Sequence, residues 1–361
     1  MPGRSTARAA DVVAANTSQR DAWLHGDRPP TLEISPGVWA VPVPCEMFPV
    51  RFTYAYLVVD GSDAVVIDPG LDTPAGADAL RAGAADAGVH LGDLTGILVT
   101  HYHPDHLGMA ARLRELSGAR VSVHASEGAF LADLIDRAPG VAAESEMRWL
   151  DAVDAAPDVA RALREQSHAV GALLRVQLCL PDDHLGDGDI VTVGSRRLAA
   201  VHTPGHTPGH LCFVDPEAKL LFTGDHILPT INPNVGLHRA ADDGDPLGDY
   251  LVALERIRAF ADHVVLPGHE YAFTGLGARV DALRGHQAVR SNALVSVLRE
   301  RGPCSVSQAA LALTWSRSWE EMSVADRHLA LATAFAHVRS LEVRGLVAAV
   351  ATAPTRYGLV S

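Results

Sequence analysis

From Leu32 onward the chain alternates short apolar runs with breaks rich in Gly, Pro and Asp: GVWAVPVP, YAYLVVDG, AVVIDPG, GILVTH, RVSVHA, then RLAAVHTPGH, LLFTGDH and HVVLPGHE. Apolar runs of about four to eight residues bounded by turn formers predict buried strands. Between them, TPAGADALRAGAADAG and MAARLRELSG repeat their apolar residues at helical spacing. Strands that each end in a His- or Asp-bearing loop, interleaved with helices, predict a layered α/β architecture with a site at one strand edge.

Three stretches depart from this rhythm. Residues 1–30 are polar and Ala-rich and end in Arg28-Pro29-Pro30, which reads as a weakly structured leader or one loosely docked helix. Residues 126–178 are helical in pattern, with Phe130, Leu131, Leu134 and Ile135 on one face and Trp149, Leu150 and Val153 on another. They interrupt the strand series as an insertion. Residues 281–361 read as three helices followed by two β-prone runs around a turn, LVAAVATAPTRYGLV, which is the order of a winged-helix domain. The strand-rich body between leader and C-terminal domain is residues 31–280.

Composition narrows the function classes. A chain of 361 residues with 48% hydrophobic content has material for two domains. A net charge of −13 opposes recruitment of the whole chain to nucleic acid or an anionic membrane. Cys45, Cys179, Cys212 and Cys304 lie far apart with no C-x-x-C pair, and are read as reduced core thiols. The first twenty residues hold no apolar signal core, and no 18-residue apolar stretch occurs, so the expected compartment is the cytoplasm.

The chemistry concentrates in LVTHYHPDHLG. His101 and His103 stand at i and i+2, which in an extended segment projects both side chains to one side. Neutral imidazoles and the Asp105 carboxylate at that spacing suit a divalent metal, and His106 can turn to a second ion. Further runs end in His206 (TPGH), Asp225 (FTGD) and His269 (LPGH), each after a Gly that permits a tight turn.

VVIDPG, THYHPDH, TPGHTPGH, FTGD and PGH, in that order, resemble the five motifs of the metallo-β-lactamase superfamily over about residues 32–280. The resemblance implies an αββα sandwich with metals at the strand edge between the sheets. It implies His101, His103 and His206 on one metal ion, Asp105, His106 and His269 on the other, Asp225 bridging both, and Asp68 orienting the metal loop from behind. His202 and His210 flank His206 as supporting residues, and His226 is read as packed or solvated. Two divalent ions are expected, zinc first, with iron or manganese as the alternatives that His and carboxylate ligands also suit. Such a pair shares a bridging hydroxide by lowering the pKa of water toward about 7, and Asp105 is placed to take up or pass on a proton. The reaction class is metal-assisted hydrolysis.

Asp225 at the bridging position resembles the glyoxalase II and lactonase branches and sets the chain apart from the zinc β-lactamases. The interval from His106 to His206 is longer than in glyoxalase II, by the helical insertion, and the C-terminal helices lack an obvious glutathione-binding set of basic residues and Tyr. The whole chain is closer to the subgroup with a C-terminal winged helix, which includes the mitochondrial β-lactamase-like endoribonuclease, and NPNVGL (Asn232 to Leu237) is similar to bacterial members of it. The leading expectation is hydrolysis of a small ester or thioester. The alternatives are a winged-helix endoribonuclease, a transcription regulator built on a dead enzyme fold, and a mononuclear iron oxygenase. Against RNA, the third C-terminal helix is mainly Ala and Leu with scattered Arg327, Arg339 and Arg344, whereas nucleic-acid binding draws on many basic contacts. That helix is expected to pack against the catalytic body or a partner subunit. A small-molecule substrate is the expected partner, a membrane is not, and a homodimer stays open.

Overall fold

The computed structural model describes residues 12–45, 50–136, 139–174, 178–237, 244–352 and 354–360. Two seven-stranded mixed sheets stack face to face. The first runs Leu32–Ser35, Val38–Pro44, Phe52–Asp60, Asp63–Ile67, Gly96–Leu98, Arg120–His124 and Asp183–Leu185, antiparallel through its first four strands and parallel thereafter. The second runs Val13–Ala14, Phe273–Thr274, Val264–Pro267, Leu220–Gly224, Leu211–Asp215, Arg196–His202 and Ile190–Val193.

Both faces of the central strands are apolar because both are covered. Along Phe52–Asp60, the side chains of Phe52, Tyr54, Tyr56 and Val58 join Leu198, Leu211, Phe213 and Phe222 of the second sheet. Ala55 and Leu57, pointing the other way, join Leu80, Leu107 and Leu113 on the helical side. On the far side of the second sheet, Leu247, Tyr250 and Leu254 of helix Pro246–Ile257 pack with Leu276, Val280 and Leu283. The result is helix, sheet, sheet, helix, and each large apolar side chain so buried contributes about 1.5–3 kcal/mol.

Residues 12–30 are more firmly built in than the expected leader. Val13–Ala14 pairs with Phe273–Thr274, and helix Thr17–His25 buries Gln19, whose Oε1 accepts the Ala272 amide at 3.0 Å. The first eleven residues of that leader lie outside the described residues. The boundary expected at residue 281 falls inside one continuous helix, Leu276–Arg301. Its first half packs on the sandwich through Val280 and Leu283, and its second half enters another core through Leu294 and Leu298.

That other core joins the two remaining helical stretches. Residues 126–178 contribute helices Ala125–Asp136, Pro139–Ala152 and Pro157–Leu174, and Trp149, Leu150, Val159 and Leu163 from the last two, with Val153 from the turn between them, meet Leu331, Phe335, Val338 and Leu341 of helix Val324–Val343. Ile135, placed with Phe130, Leu131 and Leu134 on one apolar face, is 39% exposed, and Leu329 of helix Val324–Val343 is 43% exposed. Helices Leu276–Arg301, Val306–Ala312 and Val324–Val343 precede an antiparallel hairpin, Val347–Thr352 with Thr355–Leu359, and Cys304 bridges to Tyr357 beside it. The last two helices start on capping boxes, Ser305 with Gln308 and Ser323 with Asp326, which satisfy amides left open at a helix start. All four cysteines are free and buried. Among the described residues no helix is long and apolar enough to cross a membrane.

Candidate metal centre

Strand direction gathers the coordinating residues. Asp63–Ile67 and Gly96–Leu98 run parallel, as do Leu220–Gly224 and Val264–Pro267. Arg196–His202 is antiparallel to Leu211–Asp215, which is antiparallel to Leu220–Gly224, so its C-terminal end falls on the same side as theirs. The loops after these strands carry Asp68, His101 to His106, His206, Asp225 and His269 to one edge of the sandwich. Two glycines are obligatory there. Gly224 has φ +46°, and a Cβ on it would lie 2.6 Å from Thr100 Oγ1. A Cβ on Gly268 would lie 2.7 Å from His106 Cε1 and 2.8 Å from an Asp225 oxygen.

Three groups of converging ligand atoms result: His101, His103 and His206; His101, His106 and Asp225; and Asp105, His106 and His269. In the first, His103 Nδ1 lies 2.9 Å from His101 Nε2 and 3.1 Å from His206 Nε2. In the third, His269 Nε2 and His106 Nε2 lie 3.4 Å and 3.6 Å from Asp105 Oδ2. Asp225 stands between the groups, with Oδ1 3.2 Å from His269 Nε2 and 3.5 Å from His106 Nε2, and Oδ2 3.8 Å from His206 Nε2.

The outward-facing nitrogen of each ring fixes its tautomer, because its partner can only accept or is already committed as a donor. His106 Nδ1 donates to Asp68 Oδ2 at 2.8 Å, His206 Nδ1 to the Asn234 carbonyl at 2.8 Å, and His269 Nδ1 to the Phe52 carbonyl at 2.9 Å. Thr100 Oγ1 donates to Asp68 Oδ2 and so accepts from His101 Nδ1, 2.9 Å away. Four Nε2 lone pairs therefore point inward. His106 Nε2 and Asp225 Oδ1 are buried without a hydrogen-bond partner. Two such acceptors facing each other are costly unless a cation lies between them.

Electrostatics divides the centre into two halves. Burial, with repulsion from neighbouring imidazoles, holds His101 well below its usual range and His103 down at about 3, so both stay neutral donors of lone pairs. Burial also depresses His106 and His269, but there the carboxylates of Asp225 and Asp105 outweigh it and raise both. The first half is a neutral nitrogen cluster and the second demands positive charge. The donor set, five imidazoles, four of them with fixed tautomers, and two carboxylates, fits a pair of divalent ions.

The supporting residues sort by contact. Asp68, at φ +54°, accepts from Thr100 N at 2.7 Å as well as from Thr100 Oγ1 and His106. His210 is buried; its Nε2 accepts the Asp225 amide at 3.3 Å and its ring stacks on His101. His202 lies outside the ligand groups, stacked on His124. His226 is buried against His210 and Tyr250.

Three residues that the sequence did not single out hold the loops. Glu127, fully buried, accepts the Tyr102 amide at 2.8 Å and the Gly209 amide at 2.6 Å, and so ties the two histidine loops together. Burial lifts its carboxyl to about 7 against those two donors. Glu270 accepts the amides of Thr230 and Ile231, while Arg279 donates to the carbonyls of Leu228 and Ile231. The loop they suspend is the one whose Asn234 carbonyl orients His206. Glu127→Gln should speed loss of added metal to a competing chelator about tenfold, because the amide cannot accept both N–H groups. Unchanged release kinetics would reduce Glu127 to packing.

A family model, the metallo-beta-lactamase superfamily, matches residues 48–269. The chain belongs to this superfamily. Within it, a hydroxyacylglutathione hydrolase of Cereibacter sphaeroides is 30% identical over 52% of this chain and 51% of its own length. An atrochrysone carboxyl ACP thioesterase of Aspergillus chevalieri is 24% identical over 70% of this chain and 62% of its own. An acyl-coenzyme A thioesterase of Gallus gallus is 29% identical over 59% and 71%. The chain thus spans between about half and two thirds of the length of the first two. Among solved structures, a metallo-beta-lactamase family protein of Thermus thermophilus matches with a TM-score of 0.74 and 29% identity over 91% of this chain and all of that one. A beta-lactamase domain protein of Burkholderia ambifaria shares the fold over 99% of this chain with a TM-score of 0.77.

Proposed function

We propose that the chain is a two-metal hydrolase acting on a small-molecule thioester. The observation that carries this reading is the buried, unbonded pair His106 Nε2 and Asp225 Oδ1, 3.5 Å apart inside a ring of inward-facing lone pairs. A metal-dependent hydrolase of this superfamily needs such a ring. His101, His103 and His206 on one side, Asp105, His106 and His269 on the other and Asp225 between them would hold two divalent ions, zinc in the first instance, which would supply an activated water and polarise the scissile carbonyl. The protein's part is orientation: Asp68, Asn234 and Phe52 fix the imidazoles, and Thr53 Oγ1, 3.3 Å from Asp105 Oδ2, steers that carboxylate, the group proposed to handle the proton. The thioester preference draws on three relatives, two named as thioesterases and one as a hydroxyacylglutathione hydrolase.

Three helices, a hairpin and the Cys304 bridge support reading residues 281–361 as a winged helix. A nucleic-acid role for it is disfavoured by its arginines. Arg327 donates to the Trp319 carbonyl and Arg339 pairs with Glu342, on a helix that buries Leu331, Phe335, Val338 and Leu341 in the core shared with the insertion.

Zinc-reconstituted protein is expected to hold about two ions per chain by elemental analysis and to lose turnover with them to a chelator. Screened against acyl thioesters, lactones, phosphodiesters and single-stranded RNA at two salt concentrations, it should cleave thioesters. RNA cleavage that is salt-sensitive and vanishes in Asp105→Ala, with no thioester turnover, would instead make it an endoribonuclease.

A further inference from the structure

A cleft of about 420 Å³ opens beside the first ligand cluster, with His206 and Tyr102 at its inner end. The inserted helices line it with Phe130, Leu134, Trp149, Leu150 and Leu163, and Leu237 lines it as well. These side chains are held in place. Phe130 stacks on Tyr102 with ring centroids 4.2 Å apart, and Trp149 donates Nε1–H to the Leu237 carbonyl at 2.8 Å while its ring packs against His328 of the C-terminal helix. Leu237 is itself anchored by its amide to the Ala332 carbonyl of that helix. Among the described residues lining the cleft there is no lysine or arginine. Its apolar side chains suit hydrocarbon, and the carboxylates it also carries, Asp133, Glu146 and Asp249, would repel a phosphate or carboxylate.

We propose that this cleft is the acyl subsite: it takes the apolar acyl group of a thioester, medium-chain or ring-bearing, and places its carbonyl toward the His101, His103 and His206 cluster. The thiol half then leaves away from the insertion. This rests on the thioester reading above and adds which half of the substrate the insertion recognises. Trp149, Leu150 and Leu163 also tie the insertion to the C-terminal helix, so the two helical stretches together set acyl size.

The test uses the full-length, zinc-loaded enzyme and N-acetylcysteamine thioesters from acetyl to decanoyl and benzoyl, which share one small uncharged thiol. Each methylene that enters the cleft should raise kcat/KM up to about fourfold, so hexanoyl should exceed acetyl by one to two orders of magnitude, on the order of the apolar transfer energy per methylene. Leu134, half-buried on the cleft wall, tolerates enlargement without cutting into the core. Leu134→Trp should lower the decanoyl-to-acetyl ratio at least about tenfold, and Leu134→Glu should do the same by charge. The matching S-alkyl thioethers, which cannot be hydrolysed, read binding alone. Thioethers that bind more tightly with chain length, in an enzyme that hydrolyses no thioester, uphold the subsite and defeat the thioesterase reading. Thioester turnover with equal rates for acetyl and decanoyl, or a ratio that both Leu134 variants leave untouched, overturns the subsite and leaves the thioesterase reading standing.

Discussion

Asp225→Ala should empty both metal positions and lower kcat/KM about a thousandfold or more. One carboxylate reaches both ligand groups, with Oδ1 toward His106 and His269 and Oδ2 toward His206. Burial opposes its ionisation, but His269 and His106 hold it well below the usual carboxylate range. On the two-metal proposal, removing it would take an anionic ligand from each ion, at a cost of several kcal/mol of charge stabilisation in the reaction. It also leaves His106 and His269 with less reason to gather around a cation. His210→Ala is the control. That residue is equally buried and accepts the Asp225 amide, yet its Nδ1 is engaged by Thr203 Oγ1 at 2.9 Å and neither nitrogen joins a ligand group. Metal content of the His210 variant should stay near two per chain. Equal depletion of both variants, measured by elemental analysis after dialysis, would reverse the choice of His206 over His210 as the TPGH ligand.

The division between what the sequence announces and what only the fold supplies follows the range of the interactions. Phe52–Asp60 and Leu220–Gly224 were legible because contiguous apolar runs follow from having both faces covered. Val13–Ala14 and Asp183–Leu185 were not, since two or three residues held at an edge by main-chain bonds leave little periodic trace. The same holds at the site. His101 to His106 declare themselves within six residues, whereas Glu127 finds its amides 25 and 82 residues away and Arg279 its carbonyls 51 and 48 residues back. Main-chain partners have no residue type, so no motif can record them. Leu276–Arg301 hid the join between body and C-terminal region for a related reason: its two halves feed different cores, and its composition changes nowhere.

Asp68→Asn should leave the fold intact and remove the metal from the second cluster. The amide is isosteric, and its oxygen can keep the bond from Thr100 N, now 2.7 Å from Asp68 Oδ1. The new NH2 takes the place of Oδ2, which at present accepts from both Thr100 Oγ1 and His106 Nδ1 at 2.8 Å. Two N–H groups cannot face each other in a site where His106 is fully buried, so the imidazole must move its proton to Nε2. That proton then points at Asp105 and Asp225 and blocks the lone pair the second ion requires. Orientation alone is preserved and protonation is reversed, a change that in a triad histidine costs about ten-thousandfold in turnover. Here the expected loss is about a hundredfold, the upper end for removing an outer partner of a metal-bound histidine. Metal stoichiometry should fall from two toward one, with the His101, His103 and His206 cluster still filled and the thermal midpoint little changed. Nitrogen chemical shifts of His106 read the tautomer directly. A variant that keeps two ions, with Nδ1 still protonated, would show that Asp68 does not set the state of this ligand.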